Sequence, residues 1–596
     1  MTFEQQIKES VLQIVKQLYQ AELDGDSVQI QKTRKEFDGD FTLVVFPFVR
    51  YSKKSPDETA QQIGEKLKES LPVIKDYNVI KGFLNLSFSD AVWVRYVDEL
   101  RKKSSFNLCE EKNHSPVVVE FSSPNTNKPL HLGHVRNILL GNSICNILDA
   151  NGYHVVRVNL VNDRGIHICK SMVAWLRSAG GETPESSGMK GDKLVGKYYV
   201  EFDRLYKQEI KELEAQGFLK EDAEKQAPIL LEAQQMLRKW EEGDEQVRSL
   251  WQQMNAWVYQ GFDQTYETMN IRFDKIYYES NTYLLGKKII EEGLQKNIFY
   301  KHDDGSVRIN LTEDGLDEKV LLRSDGTSVY ITQDIGTAAL RAEEFHPQKM
   351  IYIVGNEQNY HFDVLKLILD KKLGYDWGKA VYHLSYGMVE LPSGKMKSRE
   401  GTVVDADDLM DNMISIAKEN TESLGKADVF SPQQAQTLYS MIGLGALKYF
   451  ILKVDPKKNM LFNPEESIDL NGNTAPFIQY THARICSLIR KAEQQSIDLN
   501  KSVEHTEMIA PEKELIRMLY EYDAVLSLSA RELSPALIAN YVYELVKTYN
   551  HFYQDTPILR EENEDKRIFR LQLSSLTASV IKHGMMLLGI DVPEQM

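Results

Sequence analysis

The stretch VVVEFSSPNTNKPLHLGHVRNILLGNSICNILDANGYHVVRVNLV, Val117 to Val161, decides the fold. VVVEF is a short β-branched run that reads as a buried strand, and SSPNTNKPL is a loop rich in Ser, Pro and Asn. HLGHVRNILLGNSICNILDANG reads as a helix whose inward face carries Val135, Ile138, Leu139 and Ile147, with Gly152 placed to end it. HVVRVNLV is then a second strand. Strand, loop, helix and strand within about 45 residues make a βαβ unit, so the spacing predicts an α/β chain built on a parallel, nucleotide-binding-type sheet.

Outward from that unit the texture changes three times. Residues 1–112 read as helix, strands and helix, with GDFTLVVFPF as an apolar strand run and KGFLNLSFS as an alternating one, which predicts an α+β N-terminal domain. Within the sheet-bearing part, 113–465, a charge-rich helical insertion runs over about 181–270, after which VRINL, SVYIT, MIYIVG and VYHLSYGMVEL read as further strands. Residues 466–596 are helical throughout, an expected all-α C-terminal domain.

Composition bounds the function. The chain has 596 residues, too many for one core, with 42% hydrophobic residues, too apolar for disorder. Its formal charge of −16 argues against a general nucleic-acid coat protein but leaves room for local basic grooves. Cys109, Cys145, Cys169 and Cys486 form no Cys-x-x-Cys pair, which argues against a disulfide scaffold or a cysteine-rich zinc site. No segment reads as a signal peptide or membrane span, so the expected setting is a reducing cytoplasm with no membrane partner.

Chemistry concentrates in two short segments. His131-Leu132-Gly133-His134 falls at the first turn of the helix after VVVEF, where free N–H groups and the positive dipole end favour phosphate. Two imidazoles three apart lie on one face, and Gly133 lets a flat base approach the backbone. Taken alone, the same letters describe a surface or metal-binding histidine pair. GKMKSREGT, Gly394 to Thr402, brings Lys395, Lys397 and Arg399, cations suited to a pyrophosphate; taken alone it describes a solvated basic turn. The two segments together, in this order, favour nucleotide chemistry.

HLGH followed by KMKSR resembles the two signatures of the class I aminoacyl-tRNA synthetases. SPNTNKPLHLGHVRN, DGTSVYITQDIG, YIVGNEQNYHF, YGMVELPSGKMKSREGTVV, FIQYTHARICSLIRKA and LLGIDVPEQM resemble the arginyl-tRNA synthetase family in particular, in family order over nearly the whole chain. The resemblance implies a Rossmann-type catalytic domain with a helical insertion, an N-terminal domain that binds the tRNA elbow and a C-terminal anticodon-binding domain. It implies two steps, formation of arginyl-adenylate and pyrophosphate from L-arginine and ATP with Mg²⁺, then transfer to the 3′ end of the arginine tRNA, with activation needing that tRNA. The expected protein is a monomer without zinc.

By the same resemblance, His131, His134, Lys128 and Lys395 are the catalytic set, and ATP lies against His131, Gly133, His134, Met388, Lys395 and Lys397. Lys128 is included because the fourth position of the second signature, normally lysine, is Ser398 here, a loss that a lysine upstream of the first signature offsets. Glu120, Asn125, Tyr330, Asp334 and Gln358 match the arginine site. A guanidinium needs planar acceptors, and Tyr330 and Asp334, four apart, share a face if helical. Each has an ordinary alternative: a strand-end salt bridge for Glu120, a core aromatic for Tyr330. Asn162-Asp163-Arg164-Gly165-Ile166-His167 departs from the family's usual Gly-Asp-Trp-Gly-Thr-Gln, so no contact is carried over there. In the anticodon domain, Tyr480 and His482 match bases to stack on and Arg484 a backbone or base-edge contact, with Phe477 and Ile485 expected in the core. Rival readings fit less well. A small nucleotidyltransferase is too short, an isoleucine-type synthetase carries a β-rich editing insertion, and an inactive RNA-binding paralogue would tend to lose HLGH or the loop lysine.

Overall fold

The structure, a computed structural model, describes the chain except residues 1, 35, 110–111, 113–114, 391, 393–403, 424–429 and 504–506. Lys395, Lys397 and Arg399 lie outside the described residues. Two compact units divide the chain: one gathers Met1–Ser105, Arg484–Tyr522 and Glu544–Ile581, the other Phe106–Ala483, Asp523–Tyr543 and Lys582–Met596.

In the first unit a four-stranded antiparallel sheet runs in the order Gln29–Lys32, Phe41–Val44, Phe83–Phe88, Ile74–Ile80. Helices Phe3–Tyr19 and Pro56–Ser70 bury Ile7, Val11, Ile63 and Leu67 with Leu43, Leu84 and Leu86 of the sheet. The GDFTLVVFPF run is strand only to Val44; Phe46–Ser52 is a helix with Pro47 in its first turn. Proline cannot donate to a ladder but suits a helix start, which is why the strand stops there.

The second unit holds a five-stranded, wholly parallel sheet: β1 Val117–Glu120, β2 Val155–Val161, β3 Lys275–Tyr278, β4 Lys349–Gly355 and β5 Val381–Tyr386, in the order β5-β4-β1-β2-β3. Covered on both faces, β1 is buried at all four residues and β4 at five of seven, hence the unbroken apolar runs in the sequence. The order changes direction between β1 and β4, and a parallel sheet binds its ligand beyond the carboxyl ends of such a pair. Helix Leu132–Ala150 joins β1 to β2 and buries Val135, Ile138, Leu139 and Ile147 as predicted, with Gly152 just past its end at φ +82°. Gly141 sits on that helix because Phe121 lies under it: a Cβ would stand 2.2 Å from the ring.

The insertion is helical, chiefly Gly191–Ala215, Pro228–Glu242 and Glu245–Met269, and falls within the crossover from β2 to β3. SVYIT is not a strand. Tyr330 opens helix Tyr330–Phe345, whose buried Ile331, Ile335, Ala338 and Ala342 recur at helical spacing, a pattern that outweighs the short β-branched and aromatic stretch Val329 to Thr332. VRINL is a strand only over Val307–Ile309, in a small three-stranded sheet. Beyond residue 465 the described chain is helical. Among the described residues no disulfide joins Cys109, Cys145, Cys169 or Cys486. Among the described residues no helix is long and apolar enough to cross a membrane.

Candidate active site

HLGH closes a capping box made of two imidazoles. His131 is the N-cap of helix Leu132–Ala150; its Nδ1 accepts the Gly133 N–H at 3.1 Å, while the Nδ1 of His134 accepts the N–H of His131 at 3.2 Å. An Nδ1 that accepts a backbone N–H carries its proton on Nε2, so each ring is held as a neutral donor through Nε2. Burial and the Lys128 cation push His131 down to about 3, and burial holds His134 well below the usual histidine range. A Cβ on Gly133 would meet the His131 ring at 3.0 Å and press on this box.

Lys128 is half-buried, and its desolvated ammonium titrates below the usual lysine range; among the described residues no carboxylate pairs with it. Met388 is exposed at its side chain and pinned at its backbone. Its N–H donates to Asn459 Oδ1 at 2.8 Å, and its carbonyl accepts from Arg136 at 2.9 Å. Arg136, fully buried, also donates to the carbonyls of Pro456 and Lys458. The first-signature helix thus holds the chain that enters the second signature.

Beyond the carboxyl ends of β1, β2, β3 and β4 lies a cavity of about 910 Å³. Glu120, Asn125, Tyr330, Asp334 and Gln358 all line it. Tyr330, 75% exposed, is no core aromatic, and its ring stands one helical turn before Asp334. Asp334 Oδ2 meets His361 Nε2 at 2.6 Å. Glu120 does form the strand-end salt bridge: its carboxylate pairs with the fully buried Arg341, which lies between the rings of Tyr277 and Tyr352, and accepts Ser123 Oγ at 3.1 Å. Glu120 therefore offers the cavity a neutralised acceptor, not a free charge. The backbone after β1 is strained, with Ser122 at φ +74° and Ser123 at φ +44°. Such conformations cost about 1 kcal/mol or more each and persist only where neighbours hold them. Here Asn137 and Asn159 accept the two N–H groups.

Glu279 was not singled out in the sequence. It lines the same cavity and is pushed up to about 7, chiefly by burial, against the opposing pull of Arg164 at 3.9 Å. The signal was available: KIYYE, like VVVE, puts a carboxylate at the end of a buried-sheet strand. In the departing segment, Asp163 is a buried hub that accepts Ser280 N–H at 2.8 Å, Ser280 Oγ at 2.7 Å and Tyr259 OH at 2.9 Å. Arg164 lies on the rings of Tyr283 and Trp240 and pairs with Glu241 at 2.6 Å.

Helix Ala475–Gln494 carries the three residues matched to the anticodon. Ile485 is buried as expected, and Phe477 packs on Tyr543. Tyr480 is half-buried. Arg484 donates to Asn550 Oδ1 at 2.9 Å and lies over Tyr553. His482 has to be withdrawn from the RNA-stacking set: it is 3% exposed, its Nδ1 is hydrogen-bonded to the Pro593 carbonyl at 2.9 Å, and burial lowers its pKa. A ring sealed in the core has no face to offer a base.

Three family profiles match the chain: "Arginyl tRNA synthetase N terminal domain" over 5–88, "tRNA synthetases class I (R), catalytic domain" over 98–463, and "DALR anticodon binding domain" over 478–596. Arginine–tRNA ligases of Bacteroides thetaiotaomicron and Parabacteroides distasonis are each 57% identical over the full length of both chains. The arginyl-tRNA synthetase of Thermus thermophilus, 22% identical, shares the fold across both whole chains with a TM-score of 0.78. With a strand order that opens a ligand crevice, a first signature that caps the helix beside it and relatives matched from end to end, the chain belongs to the arginyl-tRNA synthetases, within class I of the aminoacyl-tRNA synthetases.

Proposed function

We propose that the cavity beyond β1 to β4 binds L-arginine with its guanidinium between Tyr330, Asp334 and Glu279, and its amino-acid end toward Asn125, Gln358 and Glu120. The observation that carries this is the meeting, in one cavity, of the Asp334 and Glu279 carboxylates with the exposed ring of Tyr330. A planar cation is matched by carboxylate acceptors and by a π face, and a neutralised Glu120 suits the smaller ammonium end.

The protein is an arginine–tRNA ligase, which activates the amino acid with ATP and transfers it to tRNA. In the first step an arginine carboxylate oxygen attacks the α-phosphorus of ATP and pyrophosphate leaves; in the second, the terminal ribose hydroxyl attacks the acyl carbon and AMP leaves. The protein need supply no covalent nucleophile, only position and charge. In our reading His131 and His134 donate through Nε2 to the phosphates, Lys128 and Lys395 meet the developing charge, and Met388, Gly133 and Lys397 complete the nucleotide contacts. ATP enters as its magnesium complex, zinc has no part, and activation waits for the tRNA, which Tyr480 and Arg484 help to hold by its anticodon. We further assign domains at 1–112, 113–465 and 466–596, and a monomer working in the cytoplasm.

Glu279 gives a test by pH. Its raised pKa means that the unliganded carboxyl is about half protonated near neutrality, and a guanidinium prefers it ionised. kcat/KM for arginine should therefore rise about tenfold from pH 6 to pH 8 and level off above about 7. For folding the sign is opposite. A carboxyl raised above its unfolded value stabilises the protein fully below that value and loses the contribution as pH rises through about 7, so the thermal shift given by arginine should grow over the same interval. Glu279→Gln should flatten the kcat/KM profile; an unchanged profile in that variant would remove Glu279 from the site.

A further inference from the structure

Helix Gly191–Ala215 of the insertion, with Lys190 at its N-cap, touches the turn before the first signature and the residues that follow the second. On one side Gly196 is pressed against the turn that precedes HLGH: a Cβ there would stand 2.7 Å from Pro129 Cδ and 3.5 Å from Lys128 Cα. On the other, two lysines reach the residues that follow the second signature. Lys190 Nζ meets Asp407 Oδ2 at 2.6 Å and the hydroxyl of Thr265, which itself donates to Asp407 Oδ1 at 2.9 Å. Lys193 Nζ meets Asp408 Oδ1 at 2.7 Å and Asp405 Oδ1 at 3.2 Å.

The acidic residues are not there only to cap their own helix. Asp405 does so, accepting the N–H groups of Asp407 and Asp408 at 2.8 and 3.2 Å. Its backbone also bridges His131, with the Leu132 N–H donating to Val404 O at 3.2 Å and the Ala406 N–H to Leu130 O at 2.9 Å. The insertion helix is itself locked to Glu245–Met269, since a Cβ on Gly191 would stand 2.1 Å from the Trp257 carbonyl oxygen and one on Gly261 would stand 2.4 Å from Asp192 Oδ1. Lys190 and Asp407 are mostly buried, at 14% and 21% exposure, so their pair is far less screened than a surface one.

We infer that helix Gly191–Ala215 sets the relation between the first signature and the residues 404–408 that follow the second, and that Lys190 and Lys193 are positioning residues for ATP, acting through Asp407 and Asp405. Neither lysine lines the arginine cavity. Loss of the lysines moves the residues at 404–408 relative to HLGH and leaves the amino-acid site in place. Geometry of this kind matters because a misplacement of about 1 Å at the reacting groups costs on the order of 100-fold in rate.

The inference rests on the assignment of the second signature to ATP, and the test separates the two. Pyrophosphate exchange driven by arginine in the presence of tRNA is measured on the full chain for Lys190→Met, Lys190→Arg and Lys193→Met, with melting temperatures. Lys190→Met should lower kcat/KM for ATP by about tenfold with the KM for arginine within about twofold, and Lys190→Arg should recover most of the loss. Lys193→Met, whose pair is more exposed, should keep the melting temperature and show the same split to a smaller degree; it decides the matter should Lys190→Met fold poorly. ATP parameters that match the parent in a folded variant, or equal losses for ATP and arginine, would overturn the inference. If the parent chain lacks exchange altogether, the assignment beneath it has failed.

Discussion

Asp334→Asn raises the KM for arginine by roughly 10- to 150-fold and leaves that for ATP within about twofold. The range follows from one charge-assisted hydrogen bond to a desolvated cation, about 1.5 to 3 kcal/mol. The substitution keeps the size of the side chain and exchanges one acceptor for an NH₂ group, so a donor would face the donors of the guanidinium. The alternative role for Asp334 is structural, through its bond to His361 at 2.6 Å. An asparagine oxygen can still accept from that ring, so the fold should survive and the loss should fall on arginine. Steady-state exchange with each substrate varied in turn checks this; equal losses for arginine and ATP would assign Asp334 to the fold.

His131→Asn should lower kcat for arginine activation by about 10²- to 10³-fold, the scale for removing one preorganised donor to developing charge. Histidine at this position does two things, and the substitution separates them. Nδ1 caps the helix by accepting the Gly133 N–H, while Nε2 carries the proton that faces outward from the box. Asparagine is among the best N-caps, so the helix should hold its stability while the donor disappears. His131→Gln extends an amide toward the position of Nε2 and is a poorer cap, so it should recover part of kcat and lose about 1 kcal/mol of stability. Single-turnover adenylate formation and urea unfolding distinguish these outcomes. A kcat that follows stability across both variants would reduce His131 to a capping residue. Because the ring is held neutral, with His131 at about 3, its own protonation should leave no inflection in activity near 6.5.

The parallel sheet was legible because a buried strand, a capped helix and a second strand follow one another within β1 to β2, each with its own period. Tyr330 and Asp334 were legible through the family resemblance, and their spacing of four gives them a shared face only because the segment is a helix. What was hidden depended on partners distant in sequence. Glu120 and Arg341 lie more than 200 residues apart, so nothing around VVVE showed its charge already met. Glu279 acquires its raised pKa chiefly from burial, with Asp163 and Asp334 adding to it against the pull of Arg164, an environment that exists only once the strands are aligned. His482 looked like a stacking ring because its neighbours are basic and aromatic, but the Pro593 carbonyl, supplied by the terminal segment, turns it inward. SVYIT misled at the shortest range, where three β-branched residues resemble a strand until the helical period of Ile331 to Ala342 is counted.

ATP–pyrophosphate exchange across a panel of amino acids, with and without arginine tRNA, tests the arginine site most directly. Exchange is expected with arginine and not with lysine, glutamine or cysteine, and the arginine signal should depend on the tRNA. Exchange with one of those three and not with arginine would contradict the guanidinium site built on Tyr330, Asp334 and Glu279.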